Sequence, residues 1–298
     1  MKDVIVIGAG CAGMTAAVYA LRAGKSVLIL EGEGIGGQIS FAPRVENFPS
    51  IASISGAEFS NNLFEQVVAL GAEVELETVT KIIPGEDRHV VKTDSGEHAC
   101  KSVVIATGVK HRHLGIAREH ELAGISYCAI CDGAFYKGRR VAVVGGGNSA
   151  LQSAEFLAAY CEKVFLIHRR SAFRAEQSQV AALLKIPNVE LVLDSVLTAL
   201  EGEGELAAVQ GQNVQTGEFF RLDAGGLFVT IGQIPENAVF KGLIALDADG
   251  YIDAGEDCHT NVPGVFAAGD CRKKEIRQLT TAAADGAVAG LAAAKYRS

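Results

Sequence analysis

Val4-Ile5-Val6-Ile7-Gly8-Ala9-Gly10-Cys11-Ala12-Gly13 opens the chain, and Val141-Ala142-Val143-Val144-Gly145-Gly146-Gly147-Asn148-Ser149-Ala150 repeats its pattern near the middle. In each, an apolar run suited to a buried strand leads through glycines into a helix-like stretch, the setting in which such a motif reads as a dinucleotide fingerprint. Gly8, Gly10 and Gly13 allow a tight turn and a close approach of pyrophosphate, and Ala16, Ala17 and Ala20 continue on a small-residue helix. The positive end of that helix offers free N–H groups to phosphate, so no basic side chain is needed in the loop. Gly145, Gly147, Asn148 and Ser149 stand in the same relation to the second helix, with Ala150 in the last position, where the fingerprint tolerates it.

The residues at the end of the next apolar run distinguish the two ligands. Glu31 ends the run Val27-Leu28-Ile29-Leu30, where an acid hydrogen-bonds a ribose 2′-hydroxyl, so the first site suits FAD or NAD. At the same offset from Gly145, His168 ends Val164-Phe165-Leu166-Ile167 and is succeeded by Arg169, Arg170 and, nearby, Arg174. Guanidinium groups match a 2′-phosphate bidentately where a carboxylate would repel it, so the second site suits NADPH.

At 298 residues, 49% hydrophobic and 21% charged, the chain has length for about two domains and a large core. A net charge of −8 argues against a nucleic-acid surface. Seven cysteines with one close pair do not form a secreted disulfide framework, and a reducing cytoplasm fits better. We read no export signal in the first residues, whose glycines belong to the nucleotide loop. No uninterrupted run approaches the ~20 apolar residues of a membrane span, because Asp285 divides the Ala-rich tail.

The fold class expected is α/β, with two Rossmann-like, three-layer dinucleotide-binding domains, one inserted into the other. The first domain takes 1–110 and resumes over 237–298, with a strand-like run Val265-Phe266-Ala267 before Gly269-Asp270 and a closing helix from about Leu279. The second takes 111–236. His111-Arg112-His113 up to Gly115, and Gln233 to Asn237, read as linkers, the histidines as solvated hinge residues with no metal assigned.

Cys128-Ala129-Ile130-Cys131-Asp132 lies just ahead of the second fingerprint. Two cysteines separated by two residues at a helix start can close a small disulfide, and the helix N-terminus favours a thiolate. Half of a structural zinc site is the alternative, weakened because the other thiols are scattered.

These motifs together resemble the low-molecular-weight bacterial thioredoxin reductases, FAD- and NADPH-dependent pyridine nucleotide-disulfide oxidoreductases. The likeness covers nearly the whole chain: both fingerprints, Gly36-Gly37-Gln38, Val45-Glu46-Asn47-Phe48-Pro49, Ala106-Thr107-Gly108, Cys128 to Asp132, His168-Arg169-Arg170 with Phe173-Arg174-Ala175, Gly269-Asp270 and Arg277-Gln278. The resemblance implies FAD in the first domain against Glu31, Gln38, Asn47, Asp270 and Gln278, NADPH in the second, and a homodimer. It implies that Cys131 is the thiol nearer the flavin, that Cys128 attacks the partner disulfide and that Asp132 is the acid, whose competing role is a helix cap. It also implies that the second domain rotates on the segments near 109–115 and 233–238. Ala129-Ile130 between the cysteines, and Gln152-Ser153 after the second fingerprint, depart from the family pattern and put the partner and the redox poise in question. Thioredoxin is the partner expected, with another protein or small-molecule disulfide as the alternative. Ferredoxin as donor is disfavoured by the intact second fingerprint. A dithiol oxidase is disfavoured by Asp132, and a non-catalytic flavin sensor would need no NADPH site.

Overall fold

The computed structural model describes residues 1–297. The chain divides into two compact units, Met1–Lys110 with the segment from Ile234 onward, and His111–Gln233. Re-entry into the first unit therefore falls at Ile234, ahead of the boundary read from the sequence at 236–237. The two crossings, Val109–His111 and Gln233–Pro235, pair with each other as short strands.

In the first unit, Lys2–Ile7 lies between Val27–Leu30 and Glu97–Ile105, parallel to both, with Val4 opposite Val27 and Ser102. The C-terminal half of Glu97–Ile105 also takes Val265–Ala267 as a parallel neighbour, while its N-terminal half pairs antiparallel with His89–Thr93. Strands covered on both faces read as continuous Val/Ile/Leu runs, which is why no alternation marks Val4 to Ile7. One face is covered by the helices Cys11–Arg22 and Leu279–Lys295, packing Met14, Ala16, Ala289 and Ala293. These helices approach closely: a Cβ at Gly290 would lie 2.4 Å from the Ala16 carbonyl oxygen. The other face holds Ile5, Ile7, Leu28, Phe240 and Ile252.

The second unit repeats this construction. Its sheet runs Val189–Val192, Lys163–Ile167, Arg140–Val144, Gly226–Val229, Ile125–Ser126, all parallel. The helix Asn148–Ala158 covers Val141, Val143 and Leu166, and the antiparallel meander Ser195–Glu203, Glu205–Asn213, Phe219–Asp223 covers Ala142, Phe165 and Ile167. Among the described residues, no helix is long and apolar enough to cross a membrane.

Candidate active site

The first fingerprint ends in a helix that begins at Gly10 with neither a side-chain cap nor an acid in its first turn. Helix Gly56–Ala69, in the same unit, is capped by Ser55 Oγ, which accepts from Glu58 N at 3.1 Å. Leaving the first-turn N–H groups of one helix without a cap is costly unless something else accepts from them, and phosphate oxygens do so. At Gly13 a Cβ would sit 1.9 Å from the Gly8 carbonyl oxygen, so the turn closes only on glycine. Gly36 N donates to Ala9 O at 2.9 Å, bringing Gly37 against Gly10, and the Gln38 amide donates to the Val109 carbonyl. Glu31 ends its strand as expected, but its carboxylate is already engaged: Oε2 accepts from Ala9 N at 2.7 Å and Oε1 from Glu33 and Gly34 N. That ties the acid to the fingerprint turn.

The far end of this cradle gathers residues distant in sequence. Thr107, next to Gly108, meets Asn237 (Oγ1 to Oδ1, 3.2 Å), and fully buried Asn237 donates to the carbonyls of Gly250 and Cys271. Asn47 donates to Gln278 at 3.2 Å, and Gln278 caps the closing helix reciprocally with Thr281. Asp270 Oδ1 and Arg277 Nε are buried without partners. Burial pushes the Asp270 carboxyl up to about 6, against the pull of Lys274 and Arg277. An acceptor without a donor and a donor without an acceptor, at the end of an uncapped helix turn, fit a flavin nucleotide carrying hydroxyls and phosphates.

Beneath Asp270 lies a charged anchor that the sequence pattern did not single out. Asp285, which in the sequence only interrupts the Ala-rich tail, accepts bidentately from Arg272 (both 2.8 Å), from Lys274 Nζ at 2.8 Å and from Gly269 N at 3.0 Å. All three charged side chains are buried. Burial pushes the Asp285 carboxyl up, but the Arg272 and Lys274 hydrogen bonds outweigh it and hold it below the usual range.

The second fingerprint helix starts at Gly147, likewise with no side-chain cap and no first-turn acid, and Asn148 Oδ1 accepts from Glu176 N at 3.1 Å. Ser149 is exposed at that turn. Arg169, Arg170 and Arg174 line a cavity of about 430 Å³ with Phe173, Asp194 and Gln215. His168 does not share their exposure. It is 6% exposed, stacks on Phe173 and meets the Ala172 carbonyl at 3.2 Å. Burial, aided by the surrounding arginines, pushes its pKa down. Gly146 provides its space, since a Cβ there would strike the imidazole at 2.0 Å. His168 thus shapes the turn while the arginines present the charge.

Cys128 and Cys131 form a disulfide with Cα atoms 5.3 Å apart, which decides against half a zinc site. Cys131 lies within the one-turn helix Ala129–Asp132, whose N-cap is Cys128: Cys131 N donates to Cys128 Sγ at 3.2 Å. A backbone donor on that sulfur favours its thiolate once the disulfide opens. Asp132 caps nothing. Its carboxylate accepts from Ser126 Oγ at 2.7 Å, and Ser126 in turn accepts from Cys128 N at 3.0 Å. Burial pushes the Asp132 carboxyl up and Ser126 pulls it partly back, which suits a proton donor. Burial pushes the other thiols, Cys11, Cys100, Cys161, Cys258 and Cys271, up to about 11 or 12, leaving the bridged pair as the reactive sulfur.

Sequence comparison places these features in one family. The model of the pyridine nucleotide-disulphide oxidoreductases matches residues 2–286, and the chain belongs to that family. It is 39% identical to a thioredoxin reductase of Bacillus subtilis over 297 residues, covering 99% of this chain and 94% of that one. It is 42% identical to a "34.2 kDa protein in rubredoxin operon" of Clostridium pasteurianum, over 99% and 96% of the two chains. The crystal structure of a thioredoxin reductase from Streptococcus pyogenes superposes with a TM-score of 0.96 at 38% identity, over 99% and 98%. The protein is therefore an oxidoreductase of the thioredoxin reductase type, working with a flavin and a pyridine nucleotide.

Proposed function

We propose that this enzyme reduces the disulfide of thioredoxin at the expense of NADPH, with FAD in the first unit and the Cys128–Cys131 pair as the relay. FAD, when bound, takes hydride equivalents from NADPH and supplies an electron pair to a disulfide. The first-unit cradle holds FAD through the uncapped helix at Gly10, Glu31, Gln38, Asn47, Thr107, Asp270, Arg277 and Gln278. Gly8, Gly13, Gly37, Gly108 and Gly269 keep the backbone close enough. The second cradle, from Gly145, Gly147, Asn148 and Ser149 to Arg169, Arg170 and Arg174, binds NADPH and prefers it to NADH through the 2′-phosphate.

Once the pair is reduced, the Cys128 thiolate, supported by Cys131 N–H, attacks one sulfur of the partner disulfide, breaking that bond and forming a mixed disulfide. Asp132 protonates the departing thiolate. Cys131 then attacks Cys128 Sγ, releasing the second partner thiol and restoring the internal disulfide. By resemblance, the second unit turns on the segments near 109–115 and 233–238, so that electron donor and partner reach the pair in turn. The resemblance extends the reading to a homodimer in the cytoplasm, with Phe41, Val288 and Leu291 as exposed apolar surface on the first unit.

The observation that carries this reading is the Cys128 sulfur capping its own helix, with the half-buried Asp132 hydrogen-bonded to buried Ser126. NADPH oxidation by the flavin-loaded protein with oxidised thioredoxin tests it. Wild type turns over, and Cys128→Ser, though its flavin is still bleached by NADPH, does not. Bleaching without turnover in the wild type would assign another disulfide as partner.

A further inference from the structure

Away from the thiol pair and both nucleotide cradles, the second unit brings His113, Glu119 and His120 together, one ligand atom of each lying within 4.8 Å of the others. Glu119 is the fixed member, only 4% exposed. Its Oε1 accepts from Leu114 N and its Oε2 from Gly115 N, both at 2.9 Å, and Tyr127 Oη donates to Oε1 at 2.9 Å. The single Tyr127 proton goes to Glu119, so the phenol oxygen, 2.8 Å from His113 Nδ1, must accept the Nδ1 proton. That fixes the His113 tautomer in the empty site, with Nδ1 3.7 Å from Glu119 Oε1 and the lone pair on Nε2. The His120 ring stands edge-on to His113 with centroids 4.7 Å apart, and both rings reach solvent. Neighbouring His111 is not among the clustered ligands and stacks on Tyr127 instead.

We propose that His113, Glu119 and His120 form a binding site for a divalent transition-metal ion of the zinc class, with water completing its coordination. Two imidazoles and a buried carboxylate are a zinc donor set rather than a magnesium or calcium one. The polar stretch after the first crossing, read from sequence as plain hinge, thus acquires a chemical role. By tying 113–120 to Tyr127, the ion stiffens the segment that leads directly into Cys128.

The test uses oxidised, flavin-loaded protein, in which the disulfide is closed and the remaining cysteines are buried, so that thiolates cannot serve as ligands. Co²⁺ is titrated as probe, read by difference absorption in the visible d–d region and by calorimetry, with Zn²⁺ as competitor. One equivalent should bind without a sulfur-to-cobalt charge-transfer band and be displaced by Zn²⁺. His113→Ala and His120→Ala should each weaken affinity by about tenfold or more, and Tyr127→Phe, which keeps all three ligands, by a smaller factor. Wild type that binds no Co²⁺, a His113→Ala/His120→Ala variant that binds as wild type does, or a thiolate band in the spectrum would each overturn the proposal.

Discussion

The two nucleotide units share a strand, an uncapped glycine turn, a helix and a second strand, yet they diverge within three residues of the end of that second strand. The first presents Glu31, tied back to Ala9 N, and the second presents Arg169 and Arg170 beside a cavity with Arg174. The common part is set by backbone geometry, with Gly8 and Gly145 both at positive φ. Ligand choice sits where the chain leaves the sheet and side chains are free to change sign. The units also differ in how the turn after their last parallel strand is held: the first by Asp285 with Arg272 and Lys274, the second by the neutral Thr230 hydroxyl on the Val144 carbonyl at 2.8 Å.

The largest effect should come from breaking the charged anchor. Asp285→Ala leaves buried Lys274 without its counter-ion and Arg272 with only the exposed Glu256 at 3.3 Å, and frees Gly269 N; it should cost about 3–5 kcal/mol in denaturant unfolding. A loss under about 1 kcal/mol would mean that water takes over the carboxylate's place. The Asp285 carboxyl is held below its ordinary value, so its contribution is present at neutral pH and is lost as pH falls through the folded-state pKa.

Next in size, Arg169→Ala with Arg170→Ala should weaken NADPH use on the order of 100-fold, from two charge-assisted contacts of about 1.5 kcal/mol or more each, while NADH kinetics stay near wild type. Equal losses with both nucleotides would show that the arginines serve the turn and not the 2′-phosphate. Within the first unit, flavin retention should depend on Asp270. Its carboxyl titrates at about 6 when no ligand donates to it, and a hydroxyl donating to it prefers the ionised form. Flavin affinity should therefore strengthen as pH rises through about 6, and Asp270→Asn should flatten that dependence, as read by equilibrium dialysis. A wild-type affinity flat across that range would remove Asp270 from the contact.

The sequence disclosed what is local. Each fingerprint and its own Glu31 or arginine offset span a few tens of residues, and the helical setting of Cys128 only a few, the range in which periodicity and turn chemistry operate. It could not disclose partners that the fold brings together, such as Thr107 with Asn237 or Gly269 with Asp285. Asn237 looked like linker and Asp285 like a blemish in an apolar helix. One signal was present: a lone acid in an Ala-rich helix predicts a buried ion pair as readily as a solvated face, and the Arg272-Lys273-Lys274 turn was the cluster to supply it. At His168 the offset pointed to the ligand, and the fold adds that the ring is seated over Gly146 with little exposure.

The smallest effect is the sharpest check on the contrast between the two anchors. Thr230→Val keeps the shape packed against Gly145 and removes only the hydroxyl, and the Val144 carbonyl still accepts from Thr230 N at 2.8 Å. No buried acceptor is orphaned, so the loss should stay at about 0.5–1.5 kcal/mol, the net worth of one neutral hydrogen bond. Measured beside Asp285→Ala in the same unfolding series, it should fall short by a factor of two or more. If the two losses matched, charge would not be what distinguishes the anchors, and the turn after the last strand would be held in both units by packing of the neighbouring fingerprint glycines.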